Sequence, residues 1–174
     1  MMISWLAKFA IVLAVAFSDC SYLRPCAYSE GSELYEKLNA VVVPADASAP
    51  AAQAVLRDVN AQTKVTTLFY SRYCKDNGTV RNALLFSGGD MVPLMLDSME
   101  AEPRLEKKVD TALWIQQIDS NCQCVRNDPS ALGRLTRERE EIKDYSDRSL
   151  VKGFYEITDR IFADAKKANS DHSQ

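Results

Sequence analysis

The chain has 174 residues, 47% apolar and 26% charged, with six Gly, six Pro, a formal net charge of −3 and a single histidine. That balance excludes collagenous, low-complexity and disordered classes and suits one ordinary globular domain. The lone imidazole, His172, sits in the polar C-terminal stretch Asn169–Gln174, so serine and cysteine triads and His-ligated zinc sites lack their usual residue and a binding protein is favoured over an enzyme.

Residues 1–18 read as a signal peptide. Lys8 precedes an unbroken apolar run from Phe9 to Phe17, and Ala16-Phe17-Ser18 offers small residues where a peptidase cuts. The run is too short to span a bilayer, which takes about 20 residues. The expected product is a secreted, extracellular chain with one domain over residues 19–174 and no membrane insertion after cleavage. It carries 20 basic against 24 acidic residues, a mild acidity that argues against nucleic acid or an anionic membrane as partner.

From there the periodicity is helical almost throughout. Leu34, Leu38 and Val41/Val42 mark a first helix behind Ser32 as its cap, stopped by Pro44. Ala45 to Ala52 reads as a linker. A second helix runs from Val55 to Tyr73, although Val65 to Tyr70 is rich in strand formers and leaves a strand as the alternative. Thr79 to Phe86 is a third, ended by Gly88-Gly89, and Asp90 caps a fourth with Met91, Leu94, Met95 and Met99. Pro103 opens a fifth, with Leu105, Val109, Leu113, Trp114 and Ile118 on one face and Lys107, Lys108 and Asp110 opposite. Asp128-Pro129 starts the sixth, in which Arg134, Arg137, Glu138, Arg139, Glu140 and Glu141 form a charged face, read as solvated. Ser146 or Asp147 caps the seventh, striped by Leu150, Phe154, Ile157 and Ile161. The fold expected is all-α, a disulfide-braced bundle of about six to seven helices.

All five cysteines, Cys20, Cys26, Cys74, Cys122 and Cys124, follow the signal and are disulfide candidates in an oxidising compartment. The odd count leaves one over. Cys122-Gln-Cys124 has no second pair at ligand spacing and is a weak metal signal; its sulfurs are expected to bridge to the early cysteines and Cys74. Asn77-Gly78-Thr79 is a glycosylation sequon in a turn-like stretch, so Asn77 is a candidate glycan site. No catalytic residues and no cofactor are expected.

The C-terminal half resembles a known family. Leu105 to Ile115, then Cys122-Gln-Cys124, a charged helix, and Asp147-Arg-Ser-Leu-Val-Lys-Gly-Phe-Tyr-Glu-Ile-Thr-Asp-Arg-Ile-Phe162 are similar to the interleukin-10 cytokine family, closest to its interleukin-19, -20 and -24 branch. Leu23-Arg24-Pro25-Cys26 resembles the family's N-terminal Leu-Arg-x-Cys. The likeness covers residues 90–165 moderately and 20–89 poorly, and the branch's adjacent Cys-Cys is missing, since Cys74 stands alone. The resemblance implies a secreted helical cytokine, monomer or homodimer, that bridges cell-surface receptor chains. It requires the C-x-C sulfurs to join upstream cysteines, one with Cys74 and the other with Cys26 or Cys20. By position it implies receptor contacts over Leu34 to Val42 of the first helix, at the loop Ala45 to Ala52, and at Arg134, Arg137 and Arg139; on that helix the exposed Glu33, Glu36 and Lys37 are the side chains free to contact a partner. A secreted carrier of a lipid or other apolar ligand is the alternative from another class.

Overall fold

The computed structural model describes residues 26–44 and 46–171; the signal peptide, Cys20 and His172 lie outside them. Helix starts are set by short polar side chains that answer otherwise orphaned amides. Asn60 Oδ1 accepts from Thr63 N at 2.8 Å, Asn77 Oδ1 from Thr79 N and Val80 N, Asp128 Oδ1 from Ser130 N at 2.8 Å, and Asp147 Oδ1 from Ser149 N and Leu150 N. The helices that result are α1 Ser32–Asn39, α2 Pro50–Leu56, α3 Ala61–Tyr73, α4 Gly78–Phe86, α5 Val92–Ala101, α6 Leu105–Cys122, α7 Pro129–Ile142 and α8 Arg148–Asp171. Single 3-10 turns at Ser29–Gly31 and Gly88–Met91 lead into α1 and α5.

These eight helices, with no strand among the described residues, exceed the expected number by one. The reason is local. Asn60 is extended and caps α3, so the segment expected to run unbroken from Val55 divides there, and Pro50 opens α2 inside what reads as a linker. The stretch Val65 to Tyr70 is helix, not strand. α1 ends at Asn39, leaving Val41 and Val42 beyond it, and the residue at its N-cap is Gly31 rather than Ser32.

The long α6 is the axis. It packs most extensively on α8 and also touches α4, α5 and the Gly88–Met91 turn. Around it Phe154, Met91, Met95, Met99, Ile115 and Leu135 are fully buried, and Trp114 meets Phe69 edge to face at 5.4 Å. Trp114 is thus a core residue. The 3-10 turn lies so close to α3 that a Cβ on Gly31 would stand 2.7 Å from the Thr67 Cα, which explains a glycine there.

Two predicted solvent-facing residues are inside. Lys108 and Glu138 are 3% and 1% exposed and pair at 2.6 Å between α6 and α7. Both continue buried stripes: Leu105, Lys108, Ala112 and Ile115 on α6, and Ala131, Leu135, Glu138 and Ile142 on α7. Lys107, also expected outside, has its ammonium 4.9 and 4.6 Å from the rings of Tyr28 and Tyr73.

The disulfides correct the expected connectivity. Cys26 pairs with Cys74 and Cys122 pairs with Cys124. Tyr73, next to Cys74, hydrogen-bonds Asp110 of α6. Cys122 lies twelve residues further along that helix, about 18 Å at 1.5 Å per residue, whereas bridged Cα atoms stand within about 7 Å. Cys74 is therefore out of reach of the C-x-C. The 26–74 bridge ties the N-terminal turn to the end of α3, worth about 4 kcal/mol in the chain-entropy model.

Candidate functional site

The positions implied as receptor contacts fall into two groups. On α1, Glu33, Glu36 and Lys37 face solvent, with Lys37 and Glu33 joined at 2.7 Å and both mostly exposed. On α7 the three arginines differ. Arg134 grips Glu100 through two hydrogen bonds, 2.7 and 2.8 Å, and Asp97 at 2.6 Å, fastening α7 to α5; the Arg134 hydrogen bond holds the Glu100 carboxyl below its ordinary range. Arg139 bonds Asp159 at 2.6 Å and lies 4.3 Å from the Tyr155 ring, fastening α7 to α8. Arg137 alone projects, its side chain 66% exposed and 3.7 Å from Glu100.

Asn77 is half-buried. Besides capping α4 it donates through Nδ2 to Tyr35 Oη at 3.1 Å and Asn39 Oδ1 at 3.0 Å. A glycan on Nδ2 removes one of those hydrogens. Asn77→Ala is expected to cost roughly 1–2 kcal/mol whether or not a sugar is attached, because the cap is lost. Thr79→Ala abolishes the sequon and keeps the cap. Equal melting losses for both variants in thermal denaturation would assign the stabilisation to the glycan instead.

The C-x-C forms the turn after α6. Gln123 is left-handed at φ 56°, and the buried Asp119 reaches back to accept from Val125 N at 2.8 Å, Arg126 N at 3.0 Å and Arg126 Nε at 2.8 Å. Helical spacing does not single out Asp119; its place one turn before the C-x-C is the only sequence signal for it. The bridge closes only three residues and adds less than about 2 kcal/mol in the chain-entropy model. Among the described residues no group of three or more His, Cys, Asp or Glu is placed to hold a metal, and no helix is long and apolar enough to cross a membrane.

One surface combines shape with exposed apolar groups. Val43 and Phe86 are large hydrophobics left 50% and 40% exposed. Between them lie two adjoining hollows that share Ala47 and Asn82. The first, about 260 Å³, is bordered by Phe86, Leu85, Gln117 and Asn121; the second, about 120 Å³, by Val43, Asp46 and Thr79. Among the described residues Asp46 is the single charged group on these borders. The loop is held in place: Asp46 N donates to Val43 O, Asp46 Oδ1 accepts from Ser48 N, and Gln53 Nε2 donates to Ala47 O at 2.8 Å. The loop after the first helix, one of the three implied contact regions, borders this surface through Asp46 and Ala47.

No protein-family model, curated protein or solved structure matches this chain.

Proposed function

We propose that the protein is a secreted helical ligand of cytokine type that acts by binding cell-surface receptor chains, with the Val43–Phe86 surface as its principal contact. The observation that carries this reading is the pairing of two exposed large apolar side chains with a pre-formed, nearly uncharged pair of hollows. Interface centres are depleted in charge and rich in aromatic anchors, and a loop already fixed loses less entropy on docking. The matching receptor face is uncharged and amide-bonding, complementary to Asn82, Gln117 and Asn121.

The interleukin-10-type resemblance is not what supports it. That resemblance requires the C-x-C sulfurs to join upstream cysteines, and they join each other. The carrier reading has less behind it, since the bundle centre is filled by Phe154, Trp114, Met91, Met95 and Met99, and a hollow of about 440 Å³ sets five charged side chains, Arg72, Arg104, Glu106, Lys107 and Asp110, beside Tyr73, Val109 and Leu150.

Binding to a panel of cytokine-receptor ectodomains by surface plasmon resonance tests the proposal. Phe86→Ala is expected to weaken binding at least tenfold, about 1.4 kcal/mol, with helicity unchanged. Arg137→Glu is the matched control on α7, because it removes only the exposed 3.7 Å pair with Glu100 and leaves the Arg134 and Arg139 fastenings in place. A tenfold loss from Arg137→Glu with none from Phe86→Ala would move the contact to α7.

A further inference from the structure

We propose that Cys122–Cys124 is a thiol-exchange site, opened by low-molecular-weight monothiols of the glutathione class while Cys26–Cys74 stays closed. Two observations point there. The Cys122 residue is exposed and Cys124 is partly so, giving an incoming thiolate access to the outer sulfur. The bridge spans a separation of two residues against 48 for the other, so closing it restricts the unfolded chain far less and leaves it less resistant to reduction.

The turn does not depend on the bridge. Asp119 fastens Val125 and Arg126, and Gln123 N donates to Asp119 O at 2.8 Å, so the chain keeps its course after α6 when the sulfurs part. Exchange proceeds by attack of the monothiolate on Cys122 Sγ. A new S–S bond forms there, the Cys122–Cys124 bond breaks, and Cys124 leaves as a thiolate that takes a proton from water. A second monothiol completes reduction, releasing the oxidised dimer of the small thiol. A group carried on Cys122 stands one residue from Asn121, which borders the Phe86 hollow.

The test equilibrates the folded protein in a series of reduced and oxidised glutathione buffers, quenches with acid and maps adducts by peptide mass spectrometry. Cys20→Ser run in parallel separates attack by the chain's own odd thiol from attack by glutathione. The expected result is a glutathione adduct on Cys122, with or without Cys20, and an equilibrium constant for opening at least tenfold more favourable than for Cys26–Cys74. Opening of both bridges together, earlier opening of Cys26–Cys74, or a starting protein without a Cys122–Cys124 bridge overturns the proposal.

Discussion

Lys108→Met is expected to destabilise the protein by about 3–5 kcal/mol, because it leaves the Glu138 carboxylate buried without its cation. The pair lies at 2.6 Å with side chains 4% and 1% exposed, so water cannot replace the lost partner. The double variant Lys108→Met with Glu138→Leu removes both charges and should recover most of that loss. Burial pushes the Glu138 carboxyl above its ordinary value of 4.5, with the Lys108 hydrogen bond pulling the other way. A raised carboxyl pKa means that the folded state binds the proton more tightly than the unfolded chain. Its stabilising contribution is present below the ordinary value and is lost as pH rises through the raised one. Wild-type stability relative to the double variant should decline across that window and level off above it. Urea denaturation followed by circular dichroism measures both effects, and a single-variant loss under about 1 kcal/mol would mean that the pair is hydrated.

Asp119→Ala is expected to cost roughly 2–4 kcal/mol, since two backbone amides and the Arg126 guanidinium lose their acceptor together. Arg126 keeps a hydrogen bond from Nη2 to the backbone oxygen of residue 119, 3.3 Å, and the contact to Asp164, 3.4 Å. The double variant Cys122→Ser with Cys124→Ser should cost less, under about 2 kcal/mol. Thermal denaturation of the two proteins orders the effects; the reverse order would assign the turn to the sulfurs rather than to the carboxylate.

Local signals in the sequence carry some helix starts and miss others: Ser32 lies inside α1, which Gly31 caps, and Asp90, expected to cap a helix, lies within the Gly88–Met91 turn before α5. Asp128-Pro129 and Asp147 are legible because a capping oxygen acts on amides two or three residues away. What depends on distant partners is not legible. Lys108 and Glu138 look solvated amid charged neighbours, yet each occupies the next position of an apolar stripe, and two such intrusions of opposite sign are the hint of a buried pair. The charged face of α7 suggests pairing within the helix, whereas Arg134 and Arg139 reach carboxylates 34 and 20 residues away. Spacing shows that α1 is exposed on its Glu33–Glu36–Lys37 face. It does not show that Val43, Ala47 and Phe86 border adjoining hollows, because those residues come to one surface only when α4 and the loop before α2 fold together. The disulfide pattern fails for the same reason, as the length of α6 separates Cys74 from the C-x-C.

Photo-cross-linking tests the proposed receptor surface most directly. A benzophenone amino acid in place of Phe86, and separately in place of Arg137, is irradiated in complex with whichever cytokine-receptor ectodomain binds the wild-type protein. A covalent adduct from position 86 and none from position 137 is the expected result. An adduct from 137 alone, or a panel in which no ectodomain binds the protein, contradicts it.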